Sequence, residues 1–209
     1  MKYVEKFKPE SYYHIFNHAV GNDNLFRNED NYYYFLKRYV HYILPIAKTF
    51  SYCLLPNHFH LFIQFRTEAE ILSHYCILNE GAIIPDNEFD FHKFLMQQFS
   101  NFLNSYTKSI NKRYNRKGAL FLDYTRRIEI VHPQYYRNLV HYIHNNPVKH
   151  GFCLYPEEWK FSSYSALFRM DISSRIEREQ MIEWFNGDIS VSNYNNTHNK
   201  FMPELYVIE

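Results

Sequence analysis

No charge of either sign predominates in this chain: 23 Lys and Arg face 22 Asp and Glu, a formal net charge of +1. That balance excludes a globally basic nucleic-acid binder, so any nucleic-acid contact has to come from a local patch. Cysteine is scarce. Cys53, Cys76 and Cys153 are odd in number and far apart, which fits neither a disulfide framework nor a Cys-rich zinc site and suits a reducing compartment. Long apolar runs are missing as well: nowhere do about 18 apolar residues follow one another, the length of a membrane span. The first residues, Met1-Lys2-Tyr3-Val4-Glu5-Lys6, carry charge where a secretory signal needs an apolar stretch. The expectation is a soluble, cytoplasmic protein without a membrane partner. There is no internal repeat.

What the chain has is apolar and aromatic mass. Its 209 residues are 46% apolar, with 20 Tyr and 19 Phe, enough for one generous domain with a real core or a domain with appendages. With so many tyrosines, any single one is a functional candidate only if its position argues for it.

Residues 11–20 read as a strand closed by the turn signal Gly21-Asn22-Asp23-Asn24. Tyr33, Phe35, Leu36, Tyr39 and Ile43 predict a helix over 29–44, ended by Pro45. A second β region covers about 47–66. Residues 67–90 are acidic, with Gly81 and Pro85, and read as a solvated excursion between elements. The clearest helix is 91–113, where Phe91, Phe94, Leu95, Phe99, Phe102, Leu103, Tyr106 and Ile110 form one apolar stripe. Residues 119–131 favour strand. Pro133 then opens a helix whose buried face is Tyr136, Leu139, Val140 and Ile143, and Asn146-Pro147 is expected to stop it. This order predicts an α+β fold, a ferredoxin-like antiparallel sheet with helices on one face, over residues 1–174. Residues 175–209 are expected to be a C-terminal extension: a short helix with Trp184 and Phe185, then a polar tail, flexible beyond about 188.

The chemistry concentrates first in Pro56-Asn57-His58-Phe59-His60-Leu61-Phe62-Ile63-Gln64. A strand alternates faces, so His58 and His60 point the same way, about 7 Å apart along the strand, and can converge on one ion. Phe59, Leu61, Ile63 and Phe65 turn to the opposite face and into a core, whereas Phe62 and Gln64 share the histidine face and are placed to touch a substrate.

Tyr142 and Asn146 lie four apart on the last helix, off its apolar stripe, so they share a second face one turn apart. A tyrosine hydroxyl attacks a phosphodiester when a metal polarises the phosphate, leaving a covalent phosphotyrosine and a free hydroxyl on the other strand end. The adduct keeps the bond energy, so the strand can be rejoined elsewhere. Asn146 offers a carbonyl oxygen as third ligand. Tyr135 and Tyr136 on the same helix compete for the nucleophile's role, and His144 and His150 read as surface residues.

Pro56-Asn57-His58-Phe59-His60-Leu61, Gly118-Ala119-Leu120-Phe121, Tyr142-Ile143-His144-Asn145-Asn146-Pro147-Val148-Lys149 and Trp159-Lys160-Phe161-Ser162-Ser163-Tyr164 resemble, in order, the signatures of single-tyrosine HUH transposases, in particular the REP-associated tyrosine transposases. The resemblance covers roughly residues 12–168. It implies a ferredoxin-like HUH palm, a divalent-metal site (Mg²⁺ or Mn²⁺) on His58, His60 and Asn146, and Tyr142 as nucleophile. It also implies cleavage of single-stranded DNA beside hairpins through a 5′-phosphotyrosine, by a monomer or a homodimer. Imidazole ligands themselves lean to Mn²⁺ over Mg²⁺. The chain departs from the pattern at Leu122-Asp123-Tyr124, where similar proteins continue Gln-Gly-Arg.

A DNA path is read in Lys108, Lys112, Arg113, Arg116, Lys117, Arg126 and Arg127, interleaved with Tyr106, Tyr114, Phe121 and Tyr124: cations follow phosphates while aromatics stack on exposed bases. Two other readings stand beside strand transfer. One is a domesticated hairpin-DNA-binding protein without efficient strand transfer; the other is a phosphodiesterase that uses water, with Tyr142 structural.

Overall fold

In a computed structural model, residues 5–80, 89–122 and 125–185, with Gly187, Ser190 and Tyr194, are described. β1 (Tyr12–His18) leads into α1 (Glu29–Tyr42). The helix starts where the Asn28 side chain accepts the amide hydrogen of Asn31, and it buries Tyr32, Phe35 and Tyr39. β2 (Ala47–Leu55) and β3 (His58–Phe65) form a hairpin through Pro56-Asn57, so the single β region of the sequence is two strands. α2 (Glu68–Leu78) follows, opened by a reciprocal cap between Thr67 and Glu70. The expected excursion over 67–90 is therefore helical in its first half, and residues 81–88 lie outside the described residues.

α3 (Phe91–Arg113) buries Leu95, Phe99, Phe102, Leu103, Tyr106 and Ile110 of the stripe that its spacing predicts, while Phe91 and Phe94 at its start are half-buried against the core. β4 (Arg126–Glu129) is short, and α4 (Tyr136–Lys149) begins after a single 3-10 turn at Pro133–Tyr135. A second 3-10 turn at Pro156–Glu158, then α5 (Tyr164–Phe168) and α6 (Arg178–Trp184), follow among the described residues. Pro147 does not stop α4, which continues to Lys149. A proline there removes one intrahelical hydrogen bond, and so close to the helix end few further bonds depend on that turn.

The four strands pair antiparallel in the order β2-β3-β1-β4, the ferredoxin-like arrangement that the sequence leads to expect. The helices, however, cover both faces rather than one. Tyr13, Ile15, Leu54, Phe59, Leu61, Ile63 and Phe65 pack against α1 and α3. Phe16, Phe50, Phe62 and Ile128 pack on the opposite face against Leu139, Val140 and Ile143 of α4. A strand sandwiched in this way is buried on both alternations, and all but one residue of β3 is buried.

The outer edge of β2 is also closed. Leu54 donates its N–H to Phe161, Ser163 to Tyr52 and Glu177 to Thr49, so the 161–177 segment occupies hydrogen-bonding positions that a bare edge strand leaves open. Met181, Phe185 and Tyr194 join the α4 core. The C-terminal stretch thus belongs to the main packing unit as far as it is described, including Tyr194 inside the expected flexible tail; residues 195–209 lie outside the described residues.

Candidate active site on the histidine face of the sheet

Strand parity places His14, Phe16 and His18 of β1 and His58, His60 and Phe62 of β3 on the face that α4 covers. The register sets His18 directly opposite His58 and Phe16 opposite His60. The His18 and His58 rings stack with centroids 4.5 Å apart, and His60 reaches diagonally to His14, their Nδ1 and Nε2 being 2.9 Å apart. His58 and His60 stand edge to face, 5.2 Å between ring centres.

α4 brings the second half. Its apolar stripe Leu139, Val140 and Ile143 is fully buried on the sheet, worth about 1.5–3 kcal/mol per side chain. That packing fixes the rotation of the helix and turns Asn146 onto His58, with Oδ1 3.0 Å from Nε2. Tyr142, half-buried, lies one turn earlier, its ring edge-on 5.6 Å from His60 and 5.9 Å from His14. Tyr136, one of the competing tyrosines, is buried among Tyr12, Phe62 and Trp184; Tyr135, half-buried, packs on the same cluster. All four expected residues, His58, His60, Tyr142 and Asn146, thus meet within one chain.

Burial dominates the electrostatics. It holds the His58 imidazole down at about 4, although the hydrogen bond to Asn146 works the other way. His60 is held well below the usual histidine range by burial and then by His14 and His58. His18 is lowered by burial, then by Arg126 and His150. At neutral pH these are neutral imidazoles, the form that binds metals.

The donor set fits a cation. His58 Nδ1 lies 2.8 Å from the Asn57 amide oxygen while Nε2 faces that of Asn146. A neutral ring has one N–H for these two acceptors. With that proton toward Asn57, the Nε2 lone pair and Asn146 Oδ1 face the same space. His60 has its Nδ1 engaged by His14, and its buried Nε2 has no hydrogen-bond partner among the described residues. Among the described residues no three His, Cys, Asp or Glu side chains are grouped to hold a metal; the Asn146 amide sets an oxygen on the two imidazoles' side of the site, 3.0 Å from His58 Nε2.

Other expected positions fall differently. Phe62 shares the histidine face but is fully buried beneath Tyr136 and Trp184, so it is not open to a substrate. Gln64 donates to the Glu10 carbonyl. His144, expected at the surface, is fully buried between Tyr194 and Ser163. His150 is exposed, as expected, and its ring lies 4.9 Å from His58.

The basic segment is divided by the fold. Arg126 is on the histidine face, 6.0 Å above the Phe16 ring. Arg127 points to the other side, buried against Phe7 and donating to backbone carbonyls. Arg116 is held by Asp23 and Asn111, and Arg113 by Asp30. Lys108, Lys112 and Lys117 are exposed, the first two on α3, which packs on the opposite face. Leu120 and Leu122 pair with Val20 and His18 and carry the chain to the site; Asp123 and Tyr124 lie outside the described residues. His14 and His18 are site neighbours that the sequence reading left unassigned, and His150, read only as a surface residue, is a third. The even spacing of His14 and His18 on a predicted strand signals a shared face, but not which face or which partners.

This architecture is an α+β palm with a histidine-lined face under a tyrosine-bearing helix. Among solved structures, the fold is similar to that of a REP-associated tyrosine transposase bound to a REP hairpin, with a TM-score of 0.57 and 15% identity over 83% of this chain and 88% of that one. No protein-family model and no curated protein matches the sequence. Among the described residues no helix is long and apolar enough to cross a membrane.

Proposed function

We propose that this protein is a metal-dependent, single-tyrosine endonuclease and strand transferase acting on single-stranded DNA beside hairpins. The observation that carries the reading is the convergence of His58, His60 and Asn146 with Tyr142 on one sheet face. The fold's likeness to a transposase bound to a REP hairpin supports the substrate class.

In this reading His58 Nε2, His60 Nε2 and Asn146 Oδ1 hold a divalent ion, and two nitrogens with one oxygen favour Mn²⁺ over Mg²⁺. When bound, the ion supplies Lewis-acid polarisation of the phosphate. His14 orients the His60 ring, and Asn57 does the same for His58. The α4 core holds the Tyr142 ring edge-on to His60. The Tyr142 oxygen attacks phosphorus; a Tyr–O–P bond forms and the P–O3′ bond breaks. The phenol proton is released, the departing 3′-oxygen takes one up, and no water is consumed. The product is a 5′-phosphotyrosine with a free 3′-hydroxyl. Arg126 and the exposed Lys108, Lys112 and Lys117 serve as phosphate contacts in this account, while Arg127, Arg116 and Arg113 act chiefly within the fold.

The test is incubation with 5′- and 3′-labelled hairpin oligonucleotides with randomised flanks, in Mn²⁺ or Mg²⁺, alongside Tyr142→Phe. A denaturation-resistant adduct on the fragment 3′ of the nick, lost in the variant, is the expected result. Cleavage without adduct that survives the substitution means hydrolysis instead. Hairpin binding without cleavage points to a binding protein on a transposase-like fold.

A further inference from the structure

The proposed reaction occupies the histidine face of the sheet, and the α1 face holds a second concave feature. Between α1 and the 173–176 segment lies a cleft of about 440 Å³, within the size range of small-molecule sites. Its floor is Thr49 and Tyr52 of β2 with Leu61 of β3, and Phe35, Leu36, Tyr39 and Val40 of α1 form one wall. Ile176 closes the other side: it bridges to Thr49, and Glu177 donates its N–H to the Thr49 carbonyl. Phe35, Tyr39, Thr49, Leu61 and Ile176 are all buried. The core itself therefore shapes the cleft, which is preformed rather than assembled from exposed side chains.

The polar groups of the cleft divide into two kinds. The hydroxyls of Tyr39 and Thr49 bond each other at 2.7 Å, and Ser174 Oγ accepts the Ile176 N–H, so these act within the fold. The Tyr52 phenol is different: it is half-buried, lines the cleft and has no hydrogen-bond partner among the described residues. Burial raises it above the usual tyrosine range, so at neutral pH it is an O–H donor. Arg175 lines the same cleft and is exposed, and its guanidinium has no ion pair or hydrogen bond among the described residues. No Asp or Glu is among the described residues that line this cleft. Glu177 and Glu179 line a neighbouring hollow, together with Arg66 and Arg178.

We propose that this cleft binds a small monocarboxylate with an apolar body, the body lying between α1 and Leu61 and the carboxylate meeting the donors of Arg175 and Tyr52. A carboxylate only accepts hydrogen bonds, and its two oxygens match the planar fork of a guanidinium. A phosphate brings more charge than one cation balances, and an uncharged head leaves the guanidinium without a counterion. The walls supply the remaining affinity, about fourfold for each methylene taken out of water. The cleft lies on the opposite side of the sheet from His58, His60 and Tyr142, so this assignment is independent of the tyrosine reaction.

The test is calorimetric titration of the full chain with octanoate, 1-octanol and butyrate, with thermal melting in parallel. Octanoate is expected to bind saturably at one site and to raise Tm. Butyrate, four methylenes shorter, should bind more than about 20-fold more weakly, and 1-octanol, which lacks the charge, at least about 10-fold more weakly. Arg175→Gln should weaken octanoate about 10- to 100-fold and Tyr52→Phe about fivefold, both without changing the melting of the unliganded protein by more than a few degrees. Val40→Phe enlarges a half-buried wall residue and should abolish binding by filling the cleft. Octanoate that does not saturate, or that binds equally well to Val40→Phe and to Arg175→Gln, overturns the site. Octanol binding as tightly as octanoate overturns the carboxylate class. A protein that forms no Tyr142 adduct yet binds octanoate in this pattern loses the proposed nuclease function and keeps this site.

Discussion

His58 Nε2 sits 3.0 Å from Asn146 Oδ1, two side chains 88 positions apart in the chain that join the middle of the sheet to the last turn of α4. Each is almost completely buried, so their mutual orientation is fixed by the packing of Leu139, Val140 and Ile143 rather than by solvent.

Metal binding is expected to stabilise this contact. At about 100 times its dissociation constant, Mn²⁺ should stabilise the wild-type protein by about 2.7 kcal/mol, read as a rise in Tm that EDTA reverses. His60→Ala and Asn146→Ala should show no such rise. A variant with an unchanged metal response would remove that residue from the ligand set.

His14 is the partner of His60 Nδ1 at 2.9 Å, and partners of this kind set the tautomer and direction of a ligating imidazole. His14→Phe keeps an aromatic ring in the stack and deletes the hydrogen bond. Mn²⁺ affinity measured by calorimetry should fall about 10- to 100-fold. Equal affinity in the two proteins would mean that His60 is oriented by packing alone.

Acid should destabilise the metal-free fold through His144. Burial and the neighbouring His141 push this imidazole down to about 3 from its usual 6.5. The unfolded chain takes up the proton below about 6.5, whereas the folded chain resists until about 3. The stability that depends on a neutral His144 is complete above pH 6.5 and declines through that window, by up to about 1.4 kcal/mol per pH unit. Urea titrations in EDTA at pH 7, 5.5 and 4.5 measure the decline, and His144→Gln should make it shallower.

Phe62 gives a contrast within the same face. It is fully buried and touches Phe50, Tyr136 and Trp184, so Phe62→Ala should cost about 3–5 kcal/mol of stability in urea. A loss below about 1 kcal/mol would contradict the packed state described for this residue.

The residues themselves already marked a good part of this protein. The alternation at 58–65 placed the histidines on one face and Phe59, Leu61, Ile63 and Phe65 on the other, because side-chain direction in a strand has a period of two. The stripes of α3 and α4 were equally plain, because a helix repeats every 3.6 residues and a core selects apolar side chains at that spacing. Tyr142 and Asn146 could be put on one face for the same reason.

Local patterns carry no record of what lies across from them, and there the sequence reading went astray. His144 looked like a surface residue because histidine is polar; only the docking of Ser163 and Tyr194 from distant segments supplies the hydrogen bonds that let it be buried. Phe62 has the parity of a substrate contact, but α4 and α6 cover it. Arg126 and Arg127 are chemically alike neighbours, and strand parity sends them to opposite sides of the sheet. Pro147 reads as a helix stop, yet the helix continues to Lys149. The sequence by itself determined which side chains share a face within each element. Which faces meet, and so whether His58 finds Asn146, His60 finds His14 and Tyr142 lies beside both, was decided by the tertiary structure, because strand register and helix rotation are set by burial summed over the whole core.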